Sequence, residues 1–180
     1  MLVILGESAS GKSTLQKLFV ERDKRWYKIV TYTTRPMRKG EVDGEDYHFT
    51  EDKIFEELKK KDFFIETSEY RGWSYGIAKK DCIDTYGVAV LTPSGLRHIK
   101  AEGIDTISVY LKVDRPSRLI QSVCRGDDVD EAYRRNLSDV GQFDGIEDEV
   151  DYVIENPKYK MDEEDTWRVF CEIVKRATNG

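Results

Sequence analysis

An α/β fold, a parallel sheet with helices on both faces, is what this sequence predicts, and three observations predict it. Apolar runs rich in β-branched residues recur at residues 2–5, 28–30, 88–91, 107–113 and 152–154. Helical patterns lie between most of these runs, and strands that alternate with helices assemble into parallel sheets. A Gly-rich turn leads straight from the first apolar run into a helical pattern. The 180 residues suffice for one domain with an independent core.

Taken in order, Leu2-Val3-Ile4-Leu5 is the first strand, and Gly6-Glu7-Ser8-Ala9-Ser10-Gly11-Lys12-Ser13-Thr14 follows it without a gap. Residues 14–20 are amphipathic, and a helix is expected over 12–21. Past the strand at 28–30 the alternation breaks. Short strand-like pieces near Tyr47-His48-Phe49 and Phe63-Phe64-Ile65-Glu66 flank a helix expected over 52–61, and glycines punctuate the rest. Residues 31–77 therefore read as a small inserted α+β subdomain that binds substrate. Further helices are expected over 79–86, 94–102, 116–124, 130–142 and 162–176, the last with its apolar positions at helical spacing for packing on the sheet. Arg125-Gly126-Asp127-Asp128, charged and set between two helical patterns, reads as a mobile loop able to close over a site. This divides the chain into a core of 1–30, 78–124 and 143–180, the insertion, and a helical lid of 125–142.

Composition excludes several functions. With 35 acidic and 29 basic residues the net charge is −6, so neither nucleic acid nor an anionic membrane is an expected partner. No apolar run approaches a membrane span, and the first five residues are too short for a secretion signal, so a cytoplasmic protein is expected. Cys82, Cys124 and Cys171 are widely spaced without C-x-x-C pairing, which argues against disulfides or zinc. His48 and His98 are the only histidines, leaving little for histidine-centred chemistry. The acid run at 144–151 reads as a solvated loop, and Trp26 and Trp167 as core or rim aromatics.

The glycine-rich turn carries the first chemistry. In G-x-x-x-x-G-K-S the consecutive backbone N–H groups turn inward on phosphates, Lys12 reaches the outer phosphates, and the Ser13 hydroxyl can ligate Mg²⁺. The helix that follows adds its positive end. A second cluster lies in Thr33-Thr34-Arg35-Pro36-Met37-Arg38-Lys39-Gly40-Glu41, followed by Asp46-Tyr47. Arg35 and Arg38 can fork onto a smaller phosphate, Tyr47 can donate one more hydrogen bond, and Glu41 can orient an arginine.

T-T-R-x-x-R-x-G-E-x-x-G-x-D-Y-x-F after G-x-x-x-x-G-K-S-T resembles the signature of guanylate kinases, within the P-loop nucleoside monophosphate kinases. Phe64-Ile65-Glu66, Ser74-Tyr75-Gly76, Arg125-Gly126, and Asp151 to Ile154 with Asn156 extend the resemblance over nearly the whole chain. It implies a P-loop NTPase-type core and transfer of the ATP γ-phosphoryl to GMP or dGMP, with Mg²⁺ and no nucleic acid or membrane, in a monomer or homodimer. It further implies that Ser8, Ala9, Ser10, Gly11, Lys12, Ser13 and Thr14 hold the ATP phosphates, with Asn156 near adenine and Ser13 on the metal. Arg35, Arg38, Glu41, Tyr47 and Tyr75 would form the acceptor-phosphate site, Glu66 and Thr92 would serve the base, and Thr31 would also contact the acceptor nucleotide. Lys12, Arg35, Arg125 and Arg135 would be catalytic, the last two swinging in with the lid, although Arg135 beside Arg134 also fits a solvated helix face.

This chain departs from the family pattern on the base and metal sides. Val90 and Thr92 stand where the family carries an Asp-x-Asp pair, Ile77 replaces a hydroxyl residue, Thr31 replaces a serine, and Glu7 and Ala9 replace the usual Pro and Gly. Gln121 stands near the place of a common lid-side arginine, and Asp114 is a candidate substitute for the missing metal-side acid. Relaxed base specificity or a lowered rate is therefore expected. The alternative is a guanylate-kinase-like module that binds phosphopeptide, although such modules typically lose the lysine retained here. A regulatory GTPase is disfavoured, since a D-x-x-G match at Asp84 to Gly87 has no N-K-x-D to accompany it.

Overall fold

The computed structural model describes residues 1–38, 40–82 and 86–178. A five-stranded, all-parallel sheet forms the core: β1 (Leu2–Leu5), β2 (Tyr27–Lys28), β7 (Gly87–Val90), β8 (Ile107–Lys112) and β9 (Tyr152–Glu155), in the order β2-β7-β1-β8-β9. Because successive strand side chains point to opposite faces, β1 feeds two cores. Leu2 and Ile4 pack with Leu15, Phe19 and Phe170 from α1 (Lys12–Arg22) and α6 (Glu163–Thr178). Val3 and Leu5 pack with Leu96 and Ile99 of α3 (Pro93–Ala101) on the other side. Helices therefore cover both faces, as the alternation of patterns predicts.

The segment expected as an insertion makes a second, mixed sheet in the order β4-β3-β6-β5, with β3 at Tyr32–Thr33, β4 at His48–Phe49, β5 at Phe64–Tyr70 and β6 at Trp73–Ala78. Helix α2 (Asp52–Lys60) lies between β4 and β5 and buries Phe55 against Phe64. The sequence suggests only short strand pieces here. In fact β5 and β6 form a long antiparallel hairpin turned by two residues, Arg71 and Gly72. Their φ values of 59° and 74° are both positive, which is what a two-residue hairpin turn matching strand twist demands.

Other expectations shift. The strand expected at 28–30 is the two-residue β2. The helix expected over 79–86 is a single 3₁₀ turn, Lys79–Cys82, and its residues 83–85 lie outside the described residues, as do Lys39 of the arginine motif and Asp84 of the D-x-x-G match. The helix expected over 130–142 stops at Ser138: α5 is Val129–Ser138, capped at its start by Asp128, after which a run of turns begins. It packs against α4 (Arg115–Cys124), and the Arg125-Gly126 loop joins them. Among the described residues all three cysteines are free, no helix is long and apolar enough to cross a membrane, and no cluster of three or more metal-ligating side chains occurs.

Candidate functional site

Gly6 shapes the phosphate turn. A β-carbon at this position would stand 2.8 Å from the Leu111 carbonyl oxygen and 2.5 Å from Ser10 Oγ, so the loop crosses the end of β8 too closely for any side chain. Ala9, where a glycine is usual, holds a left-handed φ of 62°, a cost of roughly 1–2 kcal/mol for a residue with a β-carbon. Gly11 caps α1 in left-handed conformation with no side chain closing the helix start, which leaves the N–H groups that follow open to an anion. Lys12 Nζ donates to the Glu7 carbonyl at 2.7 Å. Burial pushes its pKa down to about 8, against the opposing pull of Asp139 and Glu7.

Across the cleft, Arg35 is almost wholly buried. It donates to Pro36 O and Glu41 Oε1, both at 2.7 Å, and its guanidinium lies 5.1 Å over the Tyr47 ring and 5.5 Å over Phe49. Glu41 also accepts from the Arg38 backbone N–H at 2.7 Å, so one carboxylate braces the whole turn. Burial, then repulsion from Arg35 and Arg135, lowers the pKa of Arg38, a site poor in anions and rich in cations. Tyr47 faces Tyr75 at 6.2 Å between ring centres.

One cavity of about 180 Å³ joins the two halves: Lys12 and Ser13 line it together with Arg35, Arg38, Tyr47 and Tyr75. Thr31, Glu66 and Thr92 line its inner end, and Arg125 and Arg135 its lid side. Arg135 is buried, bonded to Asp127 and paired with Glu131, whereas Arg134 is the exposed neighbour, so the choice left open by the sequence falls to the cleft for Arg135. Arg125 is exposed and held at 2.5 Å by Asp127. A second cavity, about 480 Å³, opens on the far side of the turn between Ala9, Gly11, Thr14, Gln121, Asn156 and Tyr159.

Glu66 is 1% exposed, and neither carboxylate oxygen has a hydrogen-bond partner. Burial raises its pKa to about 7, while the nearby Ser68 hydroxyl pulls the other way. A buried, unsatisfied carboxylate on a cavity wall is costly unless a ligand completes it. Thr92 caps α3, accepting from the Gly95 N–H at 3.1 Å, and also bonds Ser94 and Ser68 hydroxyls. Ile77 turns wholly into the core and offers the cavity nothing.

One expectation is corrected. Asp114 does not substitute for the missing metal-side acid: it caps α4, accepting from the Ser117 and Lys158 N–H groups. Asn156 lines the second cavity, with its amide bonded to the backbone of Met161 in both directions. The ring of Trp73 carries the Arg134 guanidinium 5.2 Å from its centre.

Several residues bonded around the P-loop escaped sequence reasoning. Arg118 donates to Glu7 at 3.2 Å and Asp139 at 3.4 Å, and the Ser8 N–H donates to Asp139 at 2.9 Å. Arg71 joins the same group. Nothing in their local sequence marks them, since each is a single charge in a charged chain. Glu7, seen only as an oddity in the loop, accepts from Arg118 and from the Tyr110 hydroxyl at 3.0 Å.

Comparison with known proteins gives a consistent result. The family model described as Guanylate kinase matches residues 1–165. A guanylate kinase from Nostoc sp. (strain PCC 7120 / SAG 25.82 / UTEX 2576) is 30% identical over 166 residues, covering 89% of this chain and 83% of its own. One from Trichormus variabilis matches at 30% identity with the same coverage. The crystal structure of guanylate kinase from Anaplasma phagocytophilum superposes with a TM-score of 0.73 at 24% identity, over 98% of this chain and 85% of that one. Shikimate kinase from Bacteroides thetaiotaomicron shares the fold more distantly, with a TM-score of 0.56 at 13% identity over 97% of each chain.

Proposed function

This chain belongs to the guanylate kinase family, and on that premise we propose that it transfers the γ-phosphoryl of ATP to the phosphate of GMP or dGMP. The observation that carries the reading is the single cavity shared by Lys12 and the Arg35, Arg38, Tyr47 and Tyr75 cluster. Phosphoryl transfer asks little covalent chemistry of a protein, and two anion sites facing each other supply alignment and charge neutralisation. The attacking oxygen belongs to an already ionised phosphate, so no general base is needed.

In this reading the P-loop N–H groups from Ser8 to Thr14 and Lys12 hold the donor phosphates, and the second cavity takes the adenosine. Arg35 and Arg38, with Tyr47 and Tyr75, grip the acceptor phosphate, and Glu41 keeps Arg35 in place. Arg125 and Arg135 lie over the gap, where charge builds up in transfer. Ser13, exposed beside Lys12, offers one oxygen to Mg²⁺, and Val90 offers none, so the ion would rest mainly on nucleotide phosphates and water. When bound, Mg²⁺ supplies further neutralisation of the phosphates. The unpartnered Glu66 oxygens suit the ring N–H and amino donors of guanine, while Thr31 and Thr92 border the base with hydroxyls alone. A phosphopeptide module explains neither the retained Lys12 nor the adenosine-sized cavity.

A coupled assay of ADP release across GMP, dGMP, AMP, CMP, UMP and dTMP tests this. Turnover is expected with GMP and dGMP, and Thr92→Asp is expected to widen the preference for guanine by about ten- to a hundredfold, the worth of one hydrogen bond to a base edge. Absence of turnover with every acceptor would sink the reading.

The pH profile follows from two groups. Reading guanine requires the ionised carboxylate, so kcat/KM for GMP is expected to rise as pH climbs through about 7, where Glu66 ionises. It then falls above about 8 as Lys12 loses its proton. Because folding raises the Glu66 pKa, the unliganded protein is expected to lose stability as pH climbs from the ordinary carboxyl value of 4.5 to about 7, with no further loss from this group above that. Glu66→Gln should abolish the acidic limb, and a limb that survives it belongs to another group.

A further inference from the structure

Arg71 connects three parts of the cleft. It stands at the turn of the β5–β6 hairpin, yet its side chain is only 5% exposed. Its Nη2 donates to Ser8 Oγ at 2.8 Å, to the Arg135 carbonyl at 2.6 Å and to Asp139 Oδ1 at 2.6 Å. Ser8 belongs to the P-loop, and Arg135 and Asp139 to α5 and its cap. The hairpin that delivers Arg71 also carries Glu66 and Tyr75. Asp139, 1% exposed, is the shared anchor, accepting also from the Ser8 N–H, Arg118 and the Tyr70 hydroxyl. Arg71 itself lines the cleft, with its Nε buried and unpartnered.

Transfer between two bound nucleotides needs the hairpin, α5 and the P-loop gathered around them. The Arg71 bonds exist in the gathered arrangement, and a ligand that favours that arrangement favours it for its partner as well.

Resting on the kinase reading above, we propose that Arg71 is a positioning residue that ties the acceptor-side hairpin to the P-loop and to Arg135, so that donor and acceptor nucleotides raise each other's affinity. Calorimetric titration of GMP into the full chain, with and without a saturating nonhydrolysable ATP analogue and Mg²⁺, measures the coupling. In the wild type the analogue is expected to tighten GMP binding by about fivefold or more, and in Arg71→Met by a factor of about one, with each nucleotide alone bound within about threefold of wild type. Arg71→Lys keeps a charge beside Asp139 on a shorter side chain, which holds Asp139 without reaching both Ser8 and the Arg135 carbonyl, so its coupling is expected below about twofold. Full coupling in Arg71→Met overturns the proposal. Should Arg71→Met fail to fold, full coupling in Arg71→Lys overturns it equally, since the arginine then only neutralises Asp139. A wild type that binds both nucleotides without coupling defeats this inference alone, whereas one that binds neither defeats the kinase reading.

Discussion

Lys12→Ala is expected to lower kcat by about a thousandfold or more while leaving the protein folded. One preorganised donor aimed at developing charge is worth about 2.7–4 kcal/mol, a factor of 10²–10³, and Lys12 brings a full charge rather than a dipole. Its surroundings magnify that worth. Desolvation has already lowered its pKa to about 8, so the ammonium is short of solvent and has the Glu7 carbonyl as its hydrogen-bond partner. Phosphate oxygens of the donor would complete its shell. The same fact predicts the stability result: removing a poorly solvated charge costs the fold little, and the melting temperature is expected to stay level or rise. Steady-state kinetics with GMP and a thermal melt check both halves. Retention of more than about a tenth of wild-type turnover would mean that the glycine-rich turn is not the donor site, since losses of 10² or more follow from such donors.

Arg35→Lys separates charge from shape on the acceptor side. The wild-type guanidinium uses Nη1 for Pro36 O and Nη2 for Glu41, and lies over the Tyr47 and Phe49 rings. A lysine keeps the positive charge but lacks the planar fork and the stacking. We expect kcat/KM for GMP to fall by about 10²–10³, the scale of one misplaced charge-stabilising group. KM for ATP should change little, because Arg35 faces the other nucleotide. Stability should fall by about 1–3 kcal/mol, since the buried side of Glu41 loses a charged donor. Glu41 keeps its bond from the Arg38 N–H, which limits the damage to the turn. Equal losses toward ATP and GMP would show that Arg35 supports the fold as a whole and does not act on the acceptor.

How far the sequence reaches differs between the two halves of the site. The P-loop is legible because strand, glycine spacing, lysine and helix are contiguous, and each constrains its neighbour through local backbone geometry. The Arg35, Arg38, Glu41 and Tyr47 cluster is legible for the same reason, all within thirteen residues of chain. Arg135 is less so. Helical spacing leaves two adjacent arginines equivalent until the packing of α5 on α4 buries one and exposes the other. Asp114 shows the reverse error, a residue type suited to a site but spent on a helix cap.

By itself, then, the chain order of apolar runs and contiguous motifs determines the parallel core, the phosphate turn and the acceptor arginines, because backbone hydrogen bonding and side-chain alternation act over short separations. Only the tertiary structure decides the Glu7, Arg71, Arg118 and Asp139 network. Its members lie up to 132 positions apart, from Glu7 to Asp139, and a lone charge in a sequence reads as surface by default. What makes those charges interior is the two-residue hairpin turn carrying Arg71 back to Ser8, and the end of α5 setting Asp139 beneath the P-loop. Burial is a property of what else arrives at the same place, and no local pattern encodes that.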